Sequence, residues 1–155
     1  MNAKISIHDN RVLSYTIDCV KKTIVLHTVF YDSESHEYTD EIFSEVAGYH
    51  FEGDNFQTIL FDVNQVSPEE VYSAYRDLFE RGKNYAWPFD YSTEQELLRK
   101  LNDKSVKGFV VSSSYGIEGF VLAEGMKITS SKRDQVIAFT LRFAVARRMP
   151  CLWGP

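Results

Sequence analysis

Three polar residues, His50, Glu52 and Asp54, alternate at the end of a strand-like run. Because every second side chain of a strand lies on the same face, this spacing places an imidazole nitrogen and two carboxylates together, which is a set of donors that a metal ion accepts. The same spacing is typical of any polar strand edge, and a Gly-Asp-Asn turn contains acids for conformational reasons. We therefore expect neither a metal nor a cofactor here.

A second set of candidate catalytic residues contains Asp62, a carboxylate within an otherwise apolar strand, and the serines Ser112–Ser114. With His27 or His50 they could nominally supply a nucleophile, a base and an orienting acid, but the chain lacks the G-x-S-x-G spacing of a nucleophile elbow. We favour a structural, hydrogen-bonding role for Asp62. A small hydrolase or metal-dependent enzyme using His50, Glu52 and Asp62 remains an alternative, although we expect no enzyme.

Negative charge is concentrated in the first half of the chain. The 155 residues carry a net charge of −5, and the segment from Asp32 to Asp54 contains eight acids without a lysine or arginine. This balance argues against a dedicated nucleic-acid binder. A solvated edge strand that avoids aggregation is one explanation of such a segment. A second is a docking surface for a basic protein, which we adopt as the leading hypothesis, and metal binding is the third.

Aromatic residues make up 14% of the chain and supply candidate anchors for such an interface, since Tyr and Trp bury a large area at low entropic cost. The predicted partner-binding residues, acids and aromatics together, are Glu37, Asp40, Glu41, Glu45, Tyr49, Glu52, Trp87 and Tyr115.

Apolar residues recur at every second position over the first 65 residues, which predicts strands. The expected strands are 13–19, 24–30, 38–51 and 58–63. Cys19 is expected to be a small buried hydrophobe, and Gly48 interrupts the alternation, which predicts a bulge or a close backbone approach.

After residue 65 the spacing of apolar residues changes to that typical of helices. Ser67-Pro68-Glu69-Glu70 fits a capping box at the start of a helix over 67–81, with Gly82 as a left-handed stop. A second helix is predicted over 92–102, beginning at Ser92, and a hairpin over 108–123. The aromatic segment from Tyr85 to Phe89 is expected to pack on the sheet.

These elements predict one α+β domain over residues 1–155: an antiparallel β-sheet, formed by an N-terminal meander and a later hairpin, with two or three helices packed on it. Residues 127–155 are expected to form a helical C-terminal extension, with a helix over 134–149. We expect no cleaved leader, no membrane span and no disulfide framework, which favours a cytoplasmic protein.

Several short segments resemble a group of small uncharacterised bacterial proteins, some of which look like immunity proteins that neutralise a toxin by binding it. The resemblance covers about residues 8–125, and the segments that carry it are 49–52, 59–63, 85–88, 113–116 and 119–123. It implies a non-enzymatic inhibitor that binds a basic toxin or nuclease. A structural or homo-oligomeric subunit that buries its aromatic surface against a second copy is the remaining alternative.

Overall fold

The computed structural model describes residues 5–32 and 35–131. Within them the chain forms six antiparallel strands and three α-helices, so the predicted antiparallel sheet with helices is confirmed, and strands dominate. A 3-10 turn, Lys83–Tyr85, follows the second helix. The elements are β1 (Arg11–Asp18), β2 (Thr23–Tyr31), β3 (His36–Glu52), β4 (Ile59–Val66), α1 (Pro68–Ala74), α2 (Arg76–Gly82), α3 (Glu94–Asp103), β5 (Lys107–Tyr115) and β6 (Glu118–Ser130).

The sheet closes into a barrel with the strand order β1-β2-β3-β6-β5-β4. Closure depends on β1 and β4: the Val12 amide donates to the Thr58 carbonyl at 2.9 Å, and the Leu60 amide donates to the Asn10 carbonyl at 2.8 Å. We did not predict this closure, because alternation indicates which face of a strand is apolar but not where its edges pair. Pairing the two end strands removes free edges that would otherwise template aggregation.

Two apolar cores lie on opposite sides of the barrel wall. The first fills the barrel, and the second lies between the wall and the helices. Strand β6 contributes to both, since Val121 belongs to the first core while Phe120 and Leu122 belong to the second. This double burial explains why residues 119–123 are almost continuously apolar.

The capping box at Ser67 is confirmed: Ser67 Oγ accepts from the Glu70 amide at 3.2 Å, and Glu70 Oε2 accepts from the Ser67 amide at 2.8 Å. The predicted single helix over 67–81 instead breaks at Tyr75, whose φ of −118° is not helical. Gly82 is not the left-handed stop, because its φ is −62°, and the left-handed residue is Ala86.

Other local predictions have mixed outcomes. The pairing of β3 with β6 shifts between Val46 and Gly48, which confirms the bulge. The aromatic segment does pack on the sheet, as Trp87 contacts Phe120. The prediction that Cys19 is buried is wrong: this residue lies in the turn after β1 and is exposed.

Two further predictions concern helix ends and the C-terminus. The last helix is capped by Thr93 rather than Ser92, since Thr93 Oγ1 accepts from the Glu96 amide. Residues 127–130 belong to β6 and not to a helical extension. The remainder of that extension, including the helix predicted over 134–149, lies outside the described residues.

Candidate functional site

The acidic segment does not form one surface. The side chains of β3 lie alternately on the two sides of the barrel wall. Thr39, Glu41 and Phe43 are therefore buried inside the barrel, while Asp40 lies on the outer side. Glu41 is 0% exposed. Its inclusion among partner-binding residues is therefore corrected, because a side chain without accessible surface cannot contact a partner.

Inside the barrel Glu41 belongs to a buried polar cluster with Asn10, Thr28 and Thr39. Asn10 Nδ2 donates to Thr28 Oγ1 at 2.8 Å and to Thr39 Oγ1 at 2.7 Å. Thr28 Oγ1 donates to Glu41 Oε1 at 3.2 Å. Among the described residues Glu41 Oε2 and Asn10 Oδ1 have no hydrogen-bond partner. Burial raises the pKa of Glu41 to about 8, so the carboxyl group is mostly neutral at pH 7.

The other predicted acids, Glu37, Asp40, Glu45 and Glu52, differ in exposure and in hydrogen-bonding or ionic partners. Asp40 already has a partner in the molecule, because His27 Nδ1 is 2.8 Å from Asp40 Oδ1. Glu37 is exposed near the end of the barrel, and Glu45 is exposed with φ at +50°. Glu52 is exposed at the far end of β3, where its Oε2 lies 3.6 Å from His50 Nε2. Of the five predicted acids, Glu41 thus has no accessible surface and Asp40 is already paired within the molecule.

The predicted aromatic anchors divide between two places. Tyr49 and Trp87 line the same cavity of about 420 Å³, beside α2. Tyr115 is 56% exposed at the end of β5, and its Cα pairs with that of Ile59. Of the three aromatic residues, Tyr49 and Tyr115 are exposed and Trp87 is partly buried, and the sequence did not indicate which of them lie together.

A second group of exposed apolar residues, which we did not predict, lies on β1 and in the loop between β3 and β4. Phe56 is 96% exposed, Leu13 is 41% exposed and Tyr15 is 39% exposed. They line one pocket of about 400 Å³. We call this surface the Phe56 face; its lining residues are Val12, Leu13, Ser14, Tyr15, Asp54, Phe56, Thr58 and Ile117.

The loop that carries Phe56 is held by side-chain hydrogen bonds. Asp54 Oδ1 accepts from the Phe56 amide at 3.1 Å, and Asn55 Oδ1 accepts from the Gln57 amide at 3.1 Å. The Tyr15 hydroxyl donates to Asp54 Oδ2 at 3.0 Å, which joins the loop to β1. This bond and partial burial raise the pKa of Tyr15. Phe56 itself has φ at +63°, a costly region for a bulky residue.

The same loop packs against the turn between β5 and β6. The Ile117 amide donates to Thr58 Oγ1 at 3.0 Å. A Cβ on Gly53 would lie 2.7 Å from the Gly116 carbonyl oxygen, so the two backbones touch. The exposed phenylalanine is therefore presented by a braced loop, which lowers the entropy lost when a partner covers it. The Gly-Asp-Asn turn was visible in the sequence, but the exposure of the next residue was not.

Among the residues considered for catalysis, Asp62 on β4 pairs in register with Ser112 on β5. His50 and Glu52 are neighbours, but Asp62 lies on β4 and its Oδ1 accepts from the Val63 amide at 2.8 Å, which is a local structural contact. In the described part of the chain no three His, Cys, Asp or Glu residues are grouped so that they could hold a metal ion. His27, the other candidate base, is paired with Asp40.

No helix among residues 5–32 and 35–131 is long and apolar enough to cross a membrane. Comparison with known proteins finds no matching family model, no matching curated protein and no matching solved structure.

Proposed function

We propose that the protein is a non-enzymatic module that binds a basic protein partner through the Phe56 face. The observation that carries this proposal is the presentation of Phe56, which is 96% exposed on a loop held by its own side chains. Burying a phenylalanine at an interface contributes roughly 1.5–3 kcal/mol. Leu13 and Tyr15 beside it extend the apolar area that a partner would cover.

Charge supports a basic partner. The chain contains 22 acids and 17 bases, which gives a formal net charge of −5. Asp54 is the charged residue among those that line the Phe56 face. A negative potential of this kind accelerates encounter with a positive partner, and apolar anchors then slow dissociation.

More specifically, we propose that the protein is an immunity-type inhibitor that binds a basic toxin or nuclease in the bacterial cytoplasm. A reading frame for a basic toxin directly upstream of this one would favour that form. Location within a metabolic operon would oppose it.

The test uses the full chain to isolate a partner, which is identified and then titrated calorimetrically against three forms of the protein. Phe56→Ser should weaken binding by about tenfold or more, as expected for a central anchor. Val20→Ser is the matched control, because Val20 is 93% exposed in the β1–β2 turn, outside the Phe56 face. It should bind as the wild type does, and neither change should lower the melting temperature.

Two results would overturn the proposal. The first is unchanged affinity of Phe56→Ser for the identified partner. The second is a dimer, measured by light scattering, that Phe56→Ser dissociates and Val20→Ser does not, because a second copy of the chain would then occupy the face.

A further inference from the structure

A cavity of about 420 Å³ lies between the end of β3 and the C-terminal end of α2. We call it the aromatic pocket; its walls include Tyr49, His50, Leu78, Arg81, Tyr85 and Trp87. Its volume falls within the range of about 300–1,000 Å³ that is typical of small-molecule sites. It shares no lining residue with the Phe56 face.

Trp87 is held rigidly in this pocket because two glycines leave room for its indole. A Cβ on Gly82 would lie 2.7 Å from Trp87 Cε3, and a Cβ on Gly48 would lie 3.3 Å from Trp87 Cζ2. The Trp87 amide also donates to the Gly82 carbonyl at 3.1 Å. Phe79 supports the indole at a ring-centroid distance of 5.3 Å. The indole is thus fixed before any ligand arrives.

The other aromatic walls remain open to solvent. Tyr85 is 84% exposed in the 3-10 turn after α2, and Tyr49 is 38% exposed on β3. Exposed rings beside a fixed indole offer π faces to a planar ring, and such stacking contributes about 1–3 kcal/mol for a nucleobase.

Arg81 supplies the permanent positive charge of the aromatic pocket. Among the described residues it makes no ion pair or hydrogen bond, whereas Lys83 Nζ lies 2.7 Å from Glu80 Oε2. The two acids nearby, Glu52 and Asp77, line an adjacent cavity of about 350 Å³ that Arg81 also borders. Glu52 is already beside His50, at 3.6 Å. The unpaired guanidinium therefore favours an anionic group on the aromatic side of Arg81.

We propose that the aromatic pocket binds a planar aromatic ring carrying one anionic group, of the kind found in a nucleoside monophosphate. The ring stacks on Tyr85 and Trp87, and the anionic group accepts hydrogen bonds from the Arg81 guanidinium. This ligand is a small molecule, so the site is independent of the protein-binding Phe56 face.

Calorimetric titration of the full chain with AMP, adenosine and inorganic phosphate tests the proposal. AMP should bind with a saturable isotherm, adenosine about tenfold more weakly, and phosphate without detectable heat. Arg81→Gln should reduce AMP affinity to that of adenosine, and Tyr85→Ala should weaken the binding of both AMP and adenosine. Both side chains are exposed, so both variants should keep the wild-type melting temperature.

Arg99→Gln is the matched control, because Arg99 is an exposed arginine on α3 outside the pocket, and it should bind AMP as the wild type does. The proposal is overturned if AMP does not saturate the protein at millimolar concentration. It is equally overturned if Arg81→Gln binds AMP as tightly as Arg99→Gln does.

Discussion

Thr28 and Glu41 meet inside the barrel, where Thr28 Oγ1 lies 3.2 Å from Glu41 Oε1. The second carboxyl oxygen, Oε2, has no hydrogen-bond partner in the described part of the chain. A buried carboxylate with so little compensation is unfavourable, so the neutral acid is the stable form in the folded state. A neutral carboxyl group also carries a proton on one oxygen and can therefore donate a hydrogen bond.

The protonation of Glu41 predicts that the protein becomes less stable as pH rises. The folded-state pKa is about 8 and the ordinary value is 4.5, so between these values the unfolded chain releases a proton that the folded chain retains. The free energy of unfolding should fall through this window by up to about 1.4 kcal/mol per pH unit, and then level off. Urea unfolding at several pH values measures the slope.

Glu41→Gln should remove this contribution to the slope, because glutamine keeps the shape of the neutral acid and does not ionise. Glu37→Gln is the control: Glu37 is on the same strand but exposed, and its replacement should leave the pH dependence as it is in the wild type. Parallel stability curves for wild type and Glu41→Gln would refute the assignment of a neutral buried acid.

Gly82→Ala should disturb the packing of the Trp87 indole. The added Cβ would lie 2.7 Å from Trp87 Cε3 and 2.9 Å from the Trp87 carbonyl oxygen, so the indole or the helix end must move. We expect a loss of about 1–3 kcal/mol in the free energy of unfolding, and a change in the near-ultraviolet circular dichroism of the indole. Gly125→Ala is the control, since its nearest contact would be Ser44 Oγ at 3.3 Å. Equal stability of the two variants would contradict the steric argument.

Asp54→Asn should lower the pKa of Tyr15 towards its ordinary value. The hydrogen bond to Asp54 is the largest cause of the raised pKa, because ionised Tyr15 would lose that bond and face a carboxylate. Asparagine keeps an acceptor for the Phe56 amide, so the loop should persist. Titration of the labelled tyrosine ring by NMR measures the shift, with the exposed Asp90→Asn as control. An unaltered Tyr15 pKa would show that Asp54 does not contact Tyr15 in solution.

Local signals predicted local structure. Ser67 and Glu70 identified the start of α1, because a capping box needs nothing beyond four consecutive residues. Gly48 identified the bulge in β3, and the aromatic segment around Trp87 was correctly expected to pack on the sheet. The break at Tyr75 was not predicted. The apolar spacing typical of a helix continues across Tyr75, and packing against the barrel decides where a helix with that spacing breaks.

The alternation of β3 also contained the information that Glu41 and Phe43 share a face. A charged residue is normally assigned to solvent, so the sequence alone predicts that Glu41 lies at the surface. Its burial follows from the pairing of the strands, which places Glu41 in one cluster with Asn10 from the segment before β1, Thr28 from β2 and Thr39 from β3.

The amino-acid sequence by itself determined the first four strands, the start of α1 and the surplus of negative charge, since these depend on neighbouring residues and on composition. The tertiary structure decided that the sheet closes, that one of the acids is buried within it, and that Phe56 and Arg81 are exposed within the described part of the chain. These properties depend on contacts between residues distant in the chain, and the free energies that select them are not encoded in any short segment.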